Sequence, residues 1–456
     1  MIAAPRRLHA LVCAAAALLV ALPSVRNGFS LDAYLVLDDL RVHDFSLLAL
    51  LTQPWGAGAG GAEHALVNAS YFRPLTELLY ACEHRAFGAH PAGWHLVSAA
   101  LHVGATLSCL ALARRLTRHQ DVAVAAALLF AVHPVHAEAI TVVAYQTTLL
   151  SALLGLACLR AFGRLLDGGS AAWIVAAGVT AALALAAKEE AAALPLLALA
   201  WIALERPAAP RRGWLGVAAI AAGVGLVLAA RAAVVRPAAV DYFAGQPRAT
   251  IACTMLGVAG LYAELLLAPL RLCHFYDWFI VPFSTGLDAA VLRGGACVIA
   301  VAATIAWAAR RRPPLAIALG WLALGMLPAA HLVPMLNIAG ERMLYAPSIG
   351  GCIAGGVAWA AASRRWPRAA GALGVALLLG LGARTAARIA DFRDDRTLLT
   401  AEARDFPETP TPLLYLADLD EQDGDLAAAR AHLEAARARA PGWRPVEDRL
   451  RAATAR

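Results

Sequence analysis

The chain has 456 residues, 60% of them hydrophobic and 16% charged, and its 39 Lys and Arg against 32 Asp and Glu give a formal net charge of +7. With a mean hydropathy of +0.62, this composition excludes a soluble globular domain and points to an all-α, polytopic membrane protein, because apolar runs in lipid must satisfy their own backbone. Most of the basic excess is Arg clustered between apolar runs, which is an orientation signal and not a nucleic-acid surface.

Arg6 and Arg7 precede the apolar stretch 8–24, which reads as a retained first span because no clear cleavage site follows it. The polar first loop, 25–92, carries two neighbouring carboxylates, Asp38 and Asp39. Span 2 (94–113) ends at Arg114, Arg115 and Arg118, a cytoplasmic signature that puts the first loop outside. Span 3 (121–132) stops at His133-Pro134, span 4 (145–163) returns to Arg160 and Arg164, and spans 5 (171–187) and 6 (190–204) form a hairpin tipped by Lys188-Glu189-Glu190, with Arg206, Arg211 and Arg212 beyond. Span 7 covers 214–235. The run 251–270 is expected to be re-entrant or interfacial, since a full crossing would export Arg310 to Arg312 and Arg364, Arg365 and Arg368. Spans at 288–309, 314–331, 344–361 and 369–389 complete about eleven crossings, with the C-terminus outside.

Composition changes at Asp391, dividing a transmembrane domain, 1–390, from a charged helical region, 391–456. In the latter, Leu413, Leu416, Ala417, Gly424, Ala429, Leu433, Ala436 and Pro441 fall at the offsets of one tetratricopeptide repeat, with Asp420 where an aromatic residue is usual. A lone repeat needs flanking helices to bury its faces.

Ionisable groups at or within spans are costly and default to functional candidates. His133, His136 and Glu138 lack the spacing of a helical zinc motif and read as a polar cluster at the mouth of an outer cavity. Two adjacent Asp in a loop are commonly a turn or a cap, and Lys188 and Glu189 at a hairpin tip can snorkel to water. Yet Asp38 and Asp39, Arg73, the His-Pro-Val-His-Ala-Glu stretch, Lys188-Glu189, Asp277 and Glu341-Arg342 all fall on the outer face in this topology. Arg342, beside the start of a span, suits a phosphate because guanidinium binds its oxygens in pairs; Arg271 and Arg293 are alternatives. The eight cysteines form no CxxC pair.

Taken together these segments resemble the transmembrane and tetratricopeptide-repeat-containing protein O-mannosyltransferases of the GT-C superfamily. The resemblance rests on Asp38-Asp39, Tyr71-Phe72-Arg73-Pro74-Leu75, Phe87-Gly88, His95-Leu96-Val97 and Leu101-His102, and on Leu129 through Ala139, which includes His133-Pro134-Val135-His136-Ala137-Glu138. Lys188-Glu189, Asp277-Trp278, Glu341-Arg342, Leu344-Tyr345, Pro347-Ser348 and the C-terminal repeat extend it in order. Two departures are Tyr145-Gln146-Thr147-Thr148, where relatives often carry a charged patch, and the short repeat region.

The resemblance implies a GT-C-type bundle in the bacterial inner membrane with its active site on the outer face. It implies transfer of a sugar, mannose, from a polyprenyl-phosphate donor to Ser or Thr of an exported protein, with inversion and without a required metal or cofactor. Asp38 is then the favoured base with Asp39 orienting it, and Arg342 the leading phosphate ligand. Arg73, His133, His136, Glu138, Lys188, Glu189, Glu341 and Tyr345 line the cavity. A transferase acting on lipid or envelope glycan, or a non-catalytic scaffold presenting its repeat, are the competing readings.

Overall fold

Apolar runs bounded by Arg, Gly and Pro become helices where lipid offers no other partner for the backbone. A computed structural model describes residues 6–55, 57–58, 71–205, 210–235, 241–332 and 335–454, and all regular structure among them is helical. Helix α1 (Arg6–Ala21) leads to a first loop with three short helices, α2 (Ala33–Leu37), α3 (Leu40–His43) and α4 (Leu47–Thr52), and then α5 (Pro74–Phe87). The bundle continues as α6 (Pro91–Thr117), α7 (Gln120–Val132), α8 (Ala137–Thr141), α9 (Gln146–Leu166), α10 (Ala172–Ala187), α11 (Leu194–Glu205), α12 (Pro210–Val234), α13 (Arg248–Leu267), α14 (Ala289–Arg311), α15 (Pro313–Gly325), α16 (Ser348–Arg365) and α17 (Pro367–Asp391). Proline opens α5, α6, α15 and α17, at a position whose N–H has no helical partner in any case.

Among the described residues, eight helices are long and apolar enough to cross a membrane, or nine if α7 and Pro134–Thr141, bent by 53° at His133-Pro134, count as one span. Two more apolar helices, Ala172–Ala187 and Pro313–Ala329, are shorter. The chain is therefore a multi-pass membrane protein. Proline removes a donor at the bend, and the His133 ring caps the turn that follows, accepting from Val135 N at 3.4 Å, while its Nε2 meets Leu266 O at 3.0 Å.

Small residues let the helices approach, as expected where lipid removes the hydrophobic drive between them. A Cβ on Gly356 of α16 would come within 2.6 Å of Val122 O in α7. The pairing of Gly356 with Val122 and of Gly350 with Ala318 of α15 sends Arg364 and Arg365, the α14–α15 turn at Arg310 to Arg312, and Arg118 to one end of the bundle. Arg115 lies there too, bound to Asp167 (2.7 Å) and Glu205 (2.8 Å). Arg206, assigned to this end from sequence, lies outside the described residues.

The run 251–270 forms the continuous 20-residue helix α13, long enough to span. Its contacts nevertheless belong to the opposite end of the bundle. Tyr242 N, just before it, donates to Met335 O (3.1 Å), Thr254 Oγ1 accepts from Ser284 N (2.9 Å), Tyr262 Oη accepts from Gly340 N (3.3 Å), and Leu266 O meets His133. The helix thus crosses the end of the bundle that carries the polar residues.

Beyond α17 come α18 (Asp395–Asp405), α19 (Thr411–Gln422), α20 (Leu426–Arg439) and α21 (Arg444–Thr454). They share a core of Leu399, Leu413, Leu416, Leu433, Val446 and Leu450. Asp420 is buried and binds Arg396 and His432, each at 2.6 Å. Asp277 fastens this region to the α13–α14 connection through the hydroxyls of Thr409 (2.6 Å) and Thr411 (2.5 Å).

Candidate functional site

The adjacent carboxylates of the first loop separate in space. Asp38 ends α2 with its side chain exposed. Asp39 caps α3, accepting from Arg41 N at 2.9 Å and from the Arg41 guanidinium at 2.6 and 3.1 Å, and Arg41 also binds Glu77 at 2.6 Å. This buried triad folds the loop and occupies Asp39. A third carboxylate, Asp32, opens α2 without capping it; Tyr145 Oη donates to its Oδ2 at 2.7 Å.

Tyr145 is the hinge of the polar cluster. The Arg342 guanidinium lies 4.3 Å from its ring centroid, an arrangement that favours a cation over the aromatic face. Arg342 comes from the turn Glu341–Leu344, where its N–H meets Glu138 Oε2 at 2.6 Å and its Nη1 meets Oε1 at 2.5 Å. His274 Nδ1 is 2.8 Å from the same Oε1. Among the described residues, the Nε and Nη2 edge of Arg342 makes no hydrogen bond to protein. Glu341 turns the other way, 3.8 Å from Arg388, which binds Glu402 at 3.0 Å.

A second cationic arm comes from Arg73, whose Nε and Nη2 bind Glu189 Oε2 at 3.1 and 3.0 Å while its guanidinium stacks 4.4 Å from Tyr71. Thr76 Oγ1 ties α5 to the end of α10 at Ala187 O (3.0 Å), so Lys188 follows in fixed register. Its Nζ meets Thr148 Oγ1 at 2.7 Å and Glu190. Burial, with Arg73 and Arg342 nearby, holds the Lys188 ammonium below the usual lysine value although Glu190 works the other way. Burial raises the Glu189 carboxyl, and Arg73 overrides it and keeps the group below its ordinary value. Tyr71 stands within electrostatic reach of Arg73, Glu189, Arg342 and Asp32. Tyr145 and Thr148, three residues apart at the head of α9, bring Arg342 and Lys188 to neighbouring positions of one helix turn.

The remaining expected residues sit elsewhere. His136 and Tyr345 are fully buried in a packed contact with Phe130 and His102, where His136 Nε2 meets Ser348 Oγ (2.9 Å) and His102 Nδ1 meets Tyr345 Oη (2.8 Å). They join α6, α7 and α16 instead of lining an open mouth, and His133 caps the bend. Of the sequence-expected residues, Arg73, Glu138, Lys188, Glu189 and Arg342 come together. Asp32, Tyr145, Thr148, Glu190 and His274 complete the cluster and were not singled out as site residues. The stretch that departs from the family pattern supplies two of these, Tyr145 and Thr148. Among the described residues no group of three or more His, Cys, Asp or Glu side chains could hold a metal ion.

No family model matches the chain. It is similar to human protein O-mannosyl-transferase TMTC4, at 27% identity over 390 residues, covering 72% of this chain and 51% of that one. Drosophila melanogaster Tmtc3 is 30% identical over 146 residues (28% of this chain, 15% of that one) and human TMTC1 30% over 164 residues (34% and 18%). The chain thus spans at most about half the length of these curated relatives. Among solved structures, it is similar to an Archaeoglobus fulgidus oligosaccharyltransferase tethered with an acceptor peptide, with a TM-score of 0.49 at 17% identity, covering 87% of this chain and 57% of that one. The oligosaccharyltransferase AglB of that organism, in complex with an inhibitory peptide and a dolichol-phosphate, gives a TM-score of 0.46 at 15% identity, covering 84% and 55%.

Proposed function

We propose that the chain is an inverting GT-C-type glycosyltransferase that moves mannose from a polyprenyl-phosphate donor to Ser or Thr hydroxyls of an exported protein. The names of the curated relatives, protein O-mannosyl-transferases, support the reaction class. The observation that carries the reading is the convergence of Asp32 and Arg342 on Tyr145 and of Lys188 on Thr148 three residues along, with Arg73 bound to the neighbouring Glu189, at the end of an apolar bundle opposite its Arg clusters. The positive-inside rule makes the Arg end cytoplasmic and this end outer, where a lipid-linked donor and an exported acceptor meet.

In the proposed step the acceptor hydroxyl oxygen bonds to the anomeric carbon as the bond from that carbon to the phosphate oxygen breaks, inverting the centre. The hydroxyl proton passes to a carboxylate. Asp32 is the preferred base: Tyr145 holds one of its oxygens and the other is free to accept. Asp38, the base expected from sequence, is exposed, and Asp39 is bound to Arg41. The free edge of Arg342 and the Lys188 ammonium receive the charge that develops on the departing polyprenyl phosphate.

The test offers labelled polyprenyl-phosphate mannose to the purified protein in nanodiscs with an acceptor polypeptide. Label should enter protein, and Asp32→Asn should lower turnover by about 10²–10⁴-fold while Asp38→Asn leaves most of it. Label entering lipid instead would overturn the acceptor assignment. Retained turnover in Asp32→Asn with loss in Asp38→Asn would return the base to Asp38.

A further inference from the structure

We infer that Asp395, in the first turn of α18, is a positioning residue that aims Asp32. Its consequence for turnover rests on the transferase reading; its cause lies in the geometry of the first loop. Leu31, the residue before Asp32, has φ +54°. In that left-handed region a Cβ crowds the following carbonyl, and Leu has neither the freedom of Gly nor the local polar bonds of Asn that ease it. Such a conformation persists only where its surroundings over-determine it.

The surroundings come from the C-terminal region. Leu31 N donates to Asp395 Oδ1 at 2.8 Å. Just upstream, Gly28 N donates to Arg393 O at 2.9 Å and Asn27 Nδ2 to Ile389 O at 2.8 Å. Asp394 caps α18 by accepting from Thr397 N at 2.7 Å, which leaves the carboxylate of Asp395 available to the loop. The chain turns at Leu31 and immediately presents Asp32 to Tyr145. Loss of the Asp395 bond releases the left-handed turn and with it the direction of the Asp32 carboxylate.

A residue that merely docks the C-terminal region would respond differently from one that holds this turn. Glycine at position 31 keeps a left-handed turn without help, so Leu31→Gly should offset Asp395→Ala only if the turn is what Asp395 holds. Asparagine at 395 retains an acceptor oxygen for the Leu31 N–H and should also recover function.

The full chain in nanodiscs is compared as wild type, Asp395→Ala, Asp395→Asn and the Asp395→Ala/Leu31→Gly double variant. Readouts are turnover and KM for polyprenyl-phosphate mannose, and hydrogen exchange over residues 28–34. Asp395→Ala should lower turnover about tenfold, the share of chains released from a left-handed Leu, with KM for the donor nearly unchanged. The Asn variant and the double variant should each regain most of that loss. Exchange at the Leu31 amide should quicken in Asp395→Ala and stay slow in Asp395→Asn. Unchanged turnover in Asp395→Ala, or a loss that neither rescue repairs, overturns the proposal. Should the wild type transfer no sugar, the transferase reading fails and exchange alone decides the clamp: equal rates in wild type and Asp395→Ala reject it.

Discussion

Arg342→Met leaves Glu138 as a fully buried carboxylate that has lost its charge partner. The two side chains meet at 2.5 Å, and at an effective dielectric of about 20 opposite charges so close attract by roughly 7 kcal/mol. Glu138 keeps the Arg342 backbone N–H and His274, so the loss should be smaller than that attraction, about 3–5 kcal/mol, the range for breaking a buried pair. Met preserves the apolar stem beneath Tyr145. Removing both charges in Glu138→Gln/Arg342→Met should therefore recover at least half of the loss in stability, while sugar transfer stays absent. The assay is a double-mutant cycle on unfolding in detergent, with transfer measured in parallel. A single variant within about 0.5 kcal/mol of wild type, or a double variant no more stable than the single, would refute the view that this pair holds the turn Glu341–Leu344 against α8.

Three further outcomes follow from the same structure. Burial pushes the Glu83 carboxyl up to about 8, against the lowering effect of the Gln146 amide bound at 2.9 Å, and its Oε2 has no partner among the described residues. The folded chain then keeps this proton where the unfolded chain has lost it. Stability is complete below the ordinary glutamate range and falls as pH rises towards 8, by about 5 kcal/mol; Glu83→Gln should flatten that slope in unfolding curves. At the crossing of α13 and α14, a Cβ on Gly294 would run into the Leu256 carbonyl, so Gly294→Leu should cost about 1–3 kcal/mol and lower the unfolding midpoint, whereas an unshifted midpoint would mean that the helices do not cross there. Finally, a cysteine replacing exposed Gln422, with the exposed native Cys82 changed to Ser, should react with a membrane-impermeant thiol reagent in intact cells. Reaction only after permeabilisation would reverse the orientation.

Much of the architecture was legible because its causes are local. A run of apolar residues in lipid has no alternative to a helix, and the Arg clusters mark one end of the bundle whatever the packing. The span count was less legible: α13, like its neighbours, is long and apolar enough to cross, and only its contacts with Ser284, Gly340 and His133 lay it across the polar end. Glu138 and Arg342 were recognisable as candidates since ionised groups in apolar surroundings need a partner, but 204 positions separate them and no local rule joins them.

What the sequence by itself determined, then, is a helical membrane protein with ionisable residues gathered at one face and a charged helical region after it. The tertiary structure decided which carboxylate of the first loop faces that cluster. Asp38 and Asp39 are conspicuous as neighbours, yet adjacent side chains in a loop diverge, one to the exterior and one to Arg41. Asp32, single and inconspicuous, reaches the cluster because Tyr145 lies opposite it from 113 positions away and because Leu31 is held in a turn by a residue 364 positions further on. Direction in space comes from those distant partners, and adjacency in the chain carries no information about it.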